Sequence, residues 1–399
     1  MVSTGPGILL SFRLCLTLRS SPGELHWYVP PLRIVYVLTS LGVGGAERQV
    51  AALGRSMSRD GHAVSLLVLR PPLAEELDTA LPIIHLNLRK NPFSLAAALF
   101  RARRVLLDLH PDLVHSHSFH ANIFARLLRL AGASPVVLST VHNIYEGGRL
   151  RMLAYRVTDG LSLHTTAVSQ AVAQRFIERK AVPLRKISVL TNAIDLSEFT
   201  PDHIRRAETR TRMAAGENFI WLAAGRLSPA KDYPTLLRAF AQLRTSNPST
   251  RLWMTGQGTR AELDALEAAA ASLNLTERVS WLGLRRDLPA LLDAADAFVL
   301  SSAWEGMPLV VAEAMAMEKP VVATDVGGVR ELVAEAGLIV PPHSPKSLAE
   351  AMQSVMHQSN ELRQAHGHAA RLRIRQHFNL DSRTDEWESF YQDLLERAR

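Results

Sequence analysis

The chain has 399 residues, which is too long for a typical single hydrophobic core, so two domains are the default expectation. Hydrophobic residues make up 47% of the chain, and this content excludes a largely disordered protein. The single Cys15 excludes an intramolecular disulfide framework and fits a reducing compartment, and no apolar run approaches the roughly 20 residues that a spanning helix needs.

The net charge of +7 is distributed unevenly along the chain. Residues 1–200 carry 22 Lys and Arg against 13 Asp and Glu, a net charge of +9. Residues 201–399 carry 23 against 25, a net charge of −2. A basic N-terminal half favours a polyanionic partner, and the candidates are a membrane face, a lipid pyrophosphate and nucleic acid.

Residues 1–31 are expected to be a loose extension, or the product of a start codon assigned too early. They contain one short apolar patch at 8–12, which Arg13 and Arg19 separate from the rest of the segment. Because these basic residues interrupt a signal-like core and no small-residue cleavage site follows, a signal peptide is the less favoured alternative.

The first predicted unit is a buried strand over 33–38, a glycine-rich turn and a helix. The turn contains Gly44 and Gly45, and such a turn lets the backbone approach a ligand closely. Gly42 and Gly44 fit the first two glycines of the dinucleotide fingerprint G-x-G-x-x-G, but Glu47 stands where the third glycine is needed. The next strand ends in Arg70, where the fingerprint needs an acidic residue. The pattern therefore disfavours a site of the NAD type.

Strand-like and helix-like segments then alternate, which favours a parallel, doubly wound sheet. His117, His120 and His142 fall at or just after predicted strand ends, where ligands of such sheets bind. They come from separate loops, without a helical i, i+4 pair or a nearby Cys, so zinc is disfavoured. Ordinary hydrogen-bonded loop histidines are the alternative to a site role. The further strands predicted in this half cover 63–69, 83–88, 113–116, 135–141, 163–168 and 187–190.

Two basic, amphipathic stretches lie in this half. One is a predicted helix over 94–109 that follows Arg89 and Lys90, and the other covers 148–156. Basic residues mixed with Leu, Phe and Tyr suit a surface that lies on anionic lipid. A solvated helix face explains either stretch alone equally well, but the charge imbalance between the two halves favours the membrane.

A second series of strands follows the charged stretch 201–216, which we expect to be an interdomain linker. Arg226 and Lys231 lie five positions apart, in a loop between the first strand of this series and a helix. Fixed cations can stabilise a departing pyrophosphate, and the chain has no Asp-x-Asp pair to hold a metal there. The strands predicted in this series cover 219–224, 252–255, 279–282, 297–301, 320–324 and 338–340.

The segment 300–317 holds Glu305 and Glu313 with seven residues between them. A strand leads into a turn that contains Glu305, and a helix is predicted to begin at about Pro308, since proline is favoured at the first helical position. Free backbone N–H groups and the helix dipole make such a helix start a seat for phosphate. Two carboxylates so placed can accept hydrogen bonds from hydroxyls on both sides of a pyrophosphate, as in a sugar nucleotide.

Four segments, in their order along the chain, resemble motifs of the retaining glycosyltransferases of family 4, which have the two-domain GT-B fold. They are GGAER at 44–48, T-N-A-I-D at 191–195, G-R-L-x3-K at 225–231 and E-x7-E at 305–313. The resemblance covers about residues 33–395. In the hinge motif Ala193 replaces the usual glycine, which suggests a backbone that does not require a positive φ at this point.

The resemblance implies an α/β chain with two Rossmann-like, doubly wound parallel-sheet domains that face each other across a cleft. Residues 32–195 would form the acceptor-side domain, and residues 196–378 the domain that binds the nucleotide-sugar donor. Residues 379–399 would form a final helix that packs back toward the first domain. This helix carries an aromatic stripe with Trp387 and Tyr391, which is typical of packing and not of a cofactor site.

The resemblance also implies the roles of individual residues. Glu305 would contact the transferred sugar, Glu313 the ribose and His142 the sugar pocket, while Arg226 and Lys231 would hold the pyrophosphate. The catalytic set is then Glu305, His142, Arg226 and Lys231. Further donor contacts are expected at Gly306, Met307, Pro308 and Leu309 beside the phosphates, and at Gly256 and Gly283 beside the nucleobase. The expected residues of the acceptor-side loops are Gly44, Gly45, Glu47 and His117.

The expected function is the transfer of a hexose-type sugar, with retention, from a UDP- or GDP-sugar to a hydroxyl of a glycan or polyprenyl-linked acceptor. The setting would be cell-surface polysaccharide, such as lipopolysaccharide or capsule, or glycolipid synthesis. We expect no cofactor, no metal and no nucleic-acid partner. We expect a cytoplasmic protein, with the inner face of the plasma membrane as a peripheral docking place. The alternatives are a nucleotide-sugar epimerase of the same fold and a non-catalytic protein that binds a membrane or nucleic acid.

Overall fold

The computed structural model describes residues 30–73, 75–132, 136–243 and 249–399. The prediction for residues 1–31 therefore lies almost entirely outside the described residues. The strands of the first sheet are β1 (Arg33–Leu38), β2 (Ala63–Val68), β3 (Ile83–His85), β4 (Leu113–His117), β5 (Val136–Val141), β6 (His164–Ala167) and β7 (Ile187–Val189). The helices of this part are α1 (Gly45–Arg59), α2 (Pro92–Leu109), α3 (Phe119–Leu130), α4 (Arg149–Thr158) and α5 (Gln170–Glu178).

The second part of the chain contains another sheet and nine further helices among the described residues. Its strands are β8 (Phe219–Ala224), β9 (Thr250–Thr255), β10 (Val279–Trp281), β11 (Ala297–Leu300), β12 (Val321–Thr324) and β13 (Leu338–Val340). The helices are α6 (His203–Arg212), α7 (Tyr233–Leu243), α8 (Arg260–Ser272), α9 (Leu288–Ala294), α10 (Leu309–Ala316), α11 (Val329–Val333), α12 (Pro345–His357), α13 (Asn360–His377) and α14 (Leu380–Ala398).

Both sheets are parallel and doubly wound. The strand orders are β3-β2-β1-β4-β5-β6-β7 and β10-β9-β8-β11-β12-β13. In each sheet the first strand of the series lies inside the sheet, so the chain winds outward in one direction and then returns to wind outward in the other. The predicted fold class is confirmed. The largest difference in the strand bounds is at β3, which ends at His85 and not at residue 88.

We expected the charged stretch 201–216 to be an interdomain linker, but it contains α6. The Asp202 side chain caps this helix by accepting hydrogen bonds from two backbone N–H groups. Arg206 and Arg210 then pair with the two carboxylate oxygens of Asp296, at 2.5 and 3.2 Å. The linker prediction was wrong because Arg206 and Arg210 are partly buried in ion pairs that attach α6 to the second sheet domain.

The chain crosses between the two sheets twice, side by side. The Ile194 N–H donates to the Phe378 carbonyl at 2.8 Å, and the Leu380 N–H donates to the Ile194 carbonyl at 3.0 Å. Asn192 adds a side-chain hydrogen bond to the Met307 carbonyl at 3.0 Å. Ala193 has no positive φ, which agrees with the absence of a glycine at this hinge position.

The last helix, α14, packs on the first sheet and on α1. Trp387, Tyr391 and Leu394 are buried in one cluster with apolar residues of β1, β2 and α1. The Tyr391 hydroxyl lies 3.2 Å from that of Tyr36 and 2.8 Å from His115 Nδ1. A helix that follows the second domain in sequence therefore completes the core of the first.

We expect Trp387→Ala to lower the free energy of unfolding by about 3–5 kcal/mol, because it leaves a cavity in this buried cluster. Chemical denaturation followed by circular dichroism measures the change. The matched control is Phe93→Ala, whose side chain is 88% exposed and whose loss is expected to change little. Equal effects of the two substitutions would contradict the packing of α14.

Candidate active site between the two domains

The two domains touch where the loop after β5 meets the loop after β11. Asn143 and Gly306 form an isolated antiparallel bridge. A Cβ atom on Gly306 would lie 1.8 Å from the His142 carbonyl oxygen, so only glycine permits this approach. The Gly306 carbonyl in turn accepts hydrogen bonds from the Gly328 N–H at 2.6 Å and the Ser169 hydroxyl at 3.3 Å. The carboxyl ends of strands from both sheets therefore face one interdomain cleft.

Glu305 and Lys231, which come from two loops of the second domain, form an ion pair. Lys231 Nζ lies 2.7 Å from Glu305 Oε1, and both side chains are largely buried. The same oxygen accepts a hydrogen bond from the Ser302 hydroxyl at 2.7 Å. The Lys231 stem passes over Gly225, where a Cβ atom would lie 2.5 Å from it. The glycine that opens the G-R-L-x3-K segment thus lets the lysine reach the first glutamate of E-x7-E.

Arg226 comes from the same loop, and its positive charge acts on Glu47 of the first domain. Its side chain is exposed and forms no hydrogen bond or ion pair within the described part of the chain. Burial raises the pKa of Glu47 in α1, and the positive charge of Arg226 acts against this rise. Glu47 folds over Gly44, where a Cβ atom would lie 2.3 Å from its carboxylate. An acidic group and an unpaired cation therefore face each other across the cleft.

Glu313 is the most deeply buried of the predicted site carboxylates. Its Oε1 lies 2.7 Å from Arg48 Nη2, and its side chain is only 3% exposed. Glu313 Oε2 is also buried and has no hydrogen-bond partner among the described residues. Burial raises the pKa of Glu313, and the neighbouring positive charge of Arg48 acts against this rise. The structure thus brings a first-domain cation to a second-domain carboxylate.

Arg48 was not among the residues predicted for the site, although it is the last residue of GGAER. A signal for it existed in the sequence: a carboxylate inside an apolar helix such as α10 needs a counter-charge, and GGAER supplies a cation near the cleft.

His117 and His142 form a hydrogen-bonded pair at the carboxyl ends of β4 and β5. His117 Nδ1 lies 3.0 Å from His142 Nε2. Burial lowers the pKa of His142 to about 4 and that of His117 well below its ordinary value, so both rings are neutral at pH 7. His115 stacks behind the pair, with its ring centre 4.0 Å from that of His117. The third predicted histidine, His120, is exposed at the start of α3 and does not join them.

The loops after β8, β9 and β10 lie against one another at the far end of the cleft. The Gly256 N–H donates to the Gly283 carbonyl at 2.8 Å. A Cβ atom on Gly256 would lie 1.8 Å from the Gly225 carbonyl oxygen, so close packing of backbone requires this glycine. Gly283 has a positive φ and open space beside it. The two glycines predicted beside the nucleobase are therefore neighbours.

The helix that carries Glu313 begins one residue later than we predicted. Pro308 has an extended conformation, and its carbonyl accepts the first hydrogen bonds of α10, so it is the N-cap residue and not the first helical residue. Leu309 opens the helix and contacts the first domain, since a Cβ atom on Gly45 would lie 3.7 Å from its side chain. The starts of α1 and α10 therefore meet across the cleft.

Glu146, which was not among the predicted site residues, stabilises the loop that carries His142. Its carboxylate accepts hydrogen bonds from the His142 N–H at 3.0 Å and from the Tyr155 hydroxyl at 2.6 Å. Burial raises the pKa of Glu146 from 4.5 to about 6, although the two hydrogen bonds act against the rise.

This raised pKa predicts a pH dependence of stability. Between pH 4.5 and about 6 the folded chain binds more protons at Glu146 than the unfolded chain does. The free energy of unfolding should therefore fall by about 1 kcal/mol across this window as the pH rises, out of a full effect of about 2 kcal/mol. Denaturant titrations of wild type and Glu146→Gln at both ends of the window isolate the effect. A difference between the two proteins that is independent of pH would contradict it.

The described residues offer neither a metal-binding cluster nor a membrane-spanning helix. Within the described ranges, no group of three or more His, Cys, Asp or Glu side chains could hold a metal ion. No helix in these ranges has both the length and the hydropathy required to span a bilayer.

Comparison with known proteins agrees with this architecture. The family model "Glycosyltransferase Family 4" matches residues 43–198, and "Glycosyl transferases group 1" matches residues 205–373. The solved structure of Anabaena Alr3699/HepE in complex with UDP and glucose superposes with a TM-score of 0.79 at 20% identity. It covers 90% of this chain and 99% of that chain, and the likeness concerns the fold.

Two relatives with named activities each match most of the chain. The UDP-Gal:alpha-D-GlcNAc-diphosphoundecaprenol alpha-1,3-galactosyltransferase of Escherichia coli is 28% identical over 298 residues, 71% of this chain and 76% of that protein. The D-inositol 3-phosphate glycosyltransferase of Corynebacterium urealyticum is 31% identical over 318 residues, 72% of this chain and 71% of that protein. The chain therefore belongs to glycosyltransferase family 4 and has the GT-B fold.

Proposed function

We propose that this glycosyltransferase moves a hexose-type sugar, with retention, from a nucleotide-sugar donor to a hydroxyl of a glycan or lipid-linked acceptor. The proposal rests on one observation: two carboxylates, Glu305 and Glu313, lie in the interdomain cleft, each 2.7 Å from a cation, and Arg226 is unpaired in the same loop as Lys231. This arrangement offers acceptors for sugar and ribose hydroxyls around a region of positive charge.

Lys231 and Arg226 stabilise the negative charge that develops on the leaving nucleotide. Lys231 uses one of its three N–H donors on Glu305, which leaves two for a pyrophosphate, and Arg226 has its whole guanidinium free within the described structure. The free N–H groups at the start of α10, beside Gly306, Met307 and Leu309, add further donors. Fixed cations and backbone donors of this kind stabilise developing charge without a metal.

In the proposed reaction, the bond between the sugar C1 and the donor phosphate oxygen breaks, and the acceptor oxygen bonds to C1 on the same face. The acceptor proton passes to the departing phosphate oxygen, and a nucleoside diphosphate leaves. Glu305 orients the sugar, and neutral His142 exchanges hydrogen bonds with its hydroxyls. Gly44, Gly45 and His117 lie on the acceptor side. The protein therefore contributes positioning and charge stabilisation.

The named relatives support a choice of donor and acceptor. The Escherichia coli relative is named for UDP-Gal and a diphosphoundecaprenol-linked acceptor, and solved structures of the same fold hold UDP or UDP-glucose. We therefore place UDP-sugars before GDP-sugars, and a polyprenyl-linked or other glycan acceptor before a free small molecule. The setting proposed is cell-surface polysaccharide or glycolipid synthesis.

Proton NMR of reactions with UDP-glucose, UDP-galactose and GDP-mannose in excess EDTA tests this proposal. We expect release of nucleoside diphosphate from one donor, and a first-formed sugar product with the donor's anomeric configuration. Inversion at C1 would overturn retention, and a loss of turnover that Mg²⁺ restores would overturn the metal-independent mechanism.

We further propose that α2 and α4 rest on an anionic membrane. These helices flank α3 on one face of the first sheet, and they expose large apolar side chains, including Phe93, Phe100 and Leu150 at 88, 68 and 82%. Exposed Arg104 and Arg149 lie among them. Apolar side chains interleaved with arginines are typical of surfaces that bind the lipid interface.

Removing two of these charges should weaken vesicle binding. We expect Arg104→Gln with Arg149→Gln to lower partitioning onto vesicles with 30% anionic lipid by about 30-fold, since each exposed cation contributes about 1 kcal/mol. Sedimentation with the vesicles measures it. The control pair Arg260→Gln with Lys346→Gln removes the same charge from the second domain. Equal losses in both pairs would contradict the assigned surface.

A further inference from the structure

The charge partner of Glu313 comes from the other domain. Arg48 lies in the first turn of α1, whereas Glu313 lies in α10 of the second domain, and their side chains meet at 2.7 Å. The starts of these two helices are already in contact through Gly45 and Leu309. The ion pair is therefore part of a contact between the domains, beside the place where the proposed donor lies.

One of the two carboxylate oxygens of Glu313 remains available to a ligand. Oε1 is taken by Arg48, but Oε2 is buried and accepts no hydrogen bond from any described residue. An ionised carboxylate oxygen without a donor is costly in a buried place, so this atom is suited to a ligand that supplies an O–H or N–H group. Arg48 Nε is likewise buried without a partner.

We propose that Arg48 is a positioning residue for the nucleotide: it holds Oε1 of Glu313, so that Oε2 is directed at a ribose hydroxyl of the donor. The inference rests on the proposed function and deepens it, because it assigns part of ribose recognition to the first domain. Since the contact requires both domains together, a bound ribose and the contact between α1 and α10 stabilise each other.

The electrostatic surroundings of Glu313 agree with this role. Burial raises the pKa of the carboxyl group, and Glu198 adds to the rise, while Arg48 and Lys231 act against it. Without Arg48 the carboxyl group would lose its nearest cation, and a protonated carboxyl accepts hydrogen bonds less strongly than a carboxylate does. Removal of Arg48 should therefore weaken the contact to a ribose hydroxyl and leave contacts to phosphate and base unchanged.

Isothermal titration with UDP and GDP, and with their 2′-deoxy and 3′-deoxy analogues, measures this contact. We expect wild type to bind the ribonucleotide of its preferred base at least about tenfold more tightly than one deoxy analogue. In Arg48→Met this ratio should fall to about one, because ribonucleotide binding weakens while binding of that analogue stays unchanged. Glu313→Gln should behave in the same way, and Arg48→Lys should restore part of the ratio.

The control is Arg59→Met, the same change at an exposed arginine of the same helix, which should keep the wild-type ratio. An unchanged ratio in Arg48→Met, or an equal loss of ribonucleotide and deoxynucleotide binding, would overturn the role of Arg48. A wild-type protein that binds neither UDP nor GDP would instead overturn the proposed function, and this inference with it.

Discussion

Glu305→Ala is expected to reduce turnover by more than about 100-fold while the protein remains folded, the scale of losing one preorganised charge-stabilising contact. Glu305 pairs with Lys231 at 2.7 Å, and in the proposed reaction it orients the transferred sugar. Lys231→Ala should have an effect of the same size, since it removes the other member of the pair. Initial rates of nucleoside diphosphate release measure both variants.

Two surface substitutions control for the general effect of losing these charges. Glu178 and Lys180 are exposed at the end of α5, which lies opposite the carboxyl ends of the strands. Glu178→Ala and Lys180→Ala should therefore retain nearly the wild-type rate. Near-normal turnover in purified Glu305→Ala and Lys231→Ala would remove the basis for the site.

Gly306→Ala is expected to reduce turnover by about 100-fold or more without unfolding either domain. The added Cβ would lie 1.8 Å from the His142 carbonyl oxygen and 2.7 Å from its carbon. The clash is with backbone, so no rotation of a side chain relieves it, and the two loops must separate. A displacement of about 1 Å between reacting groups suffices for a loss of this size.

The matched control is Gly160→Ala, where no atom lies within 4 Å of the added Cβ. Circular dichroism and thermal unfolding of both variants separate misfolding from misalignment. A Gly306→Ala protein with the wild-type rate would show that the contact between the His142 loop and the Glu305 loop does not matter for the reaction.

The sequence predicted the architecture and most of the side chains that line the cleft because both depend on local patterns. Short apolar runs alternating with amphipathic helices define doubly wound sheets, and in such sheets loops after the strands meet at one edge. Glu305 and Lys231 each follow such a strand, so their meeting follows from the topology. The same reasoning brought His117 and His142 to neighbouring strand ends.

The errors and omissions come from contacts that depend on how the two domains pack. Arg48 and Glu313 meet only because α1 and α10 face each other across the cleft. A carboxylate in an apolar helix indicates that a counter-charge is needed, but the sequence does not indicate which cation supplies it. Glu146 acts through a backbone N–H and a tyrosine hydroxyl, which leave no charge pattern in the sequence. In the stretch 201–216, composition alone does not distinguish solvated charges from charges paired with a neighbouring helix.

The most direct test of the account is binding of the purified protein to UDP-, GDP- and ADP-sugars in EDTA, by ligand-detected NMR, with Arg226→Ala as the comparison. We expect one nucleotide to bind wild type without metal and to bind Arg226→Ala far more weakly, because the pyrophosphate loses a free cation of the cleft. Equal binding to both proteins, or binding to neither, would contradict a nucleotide-sugar site between these domains.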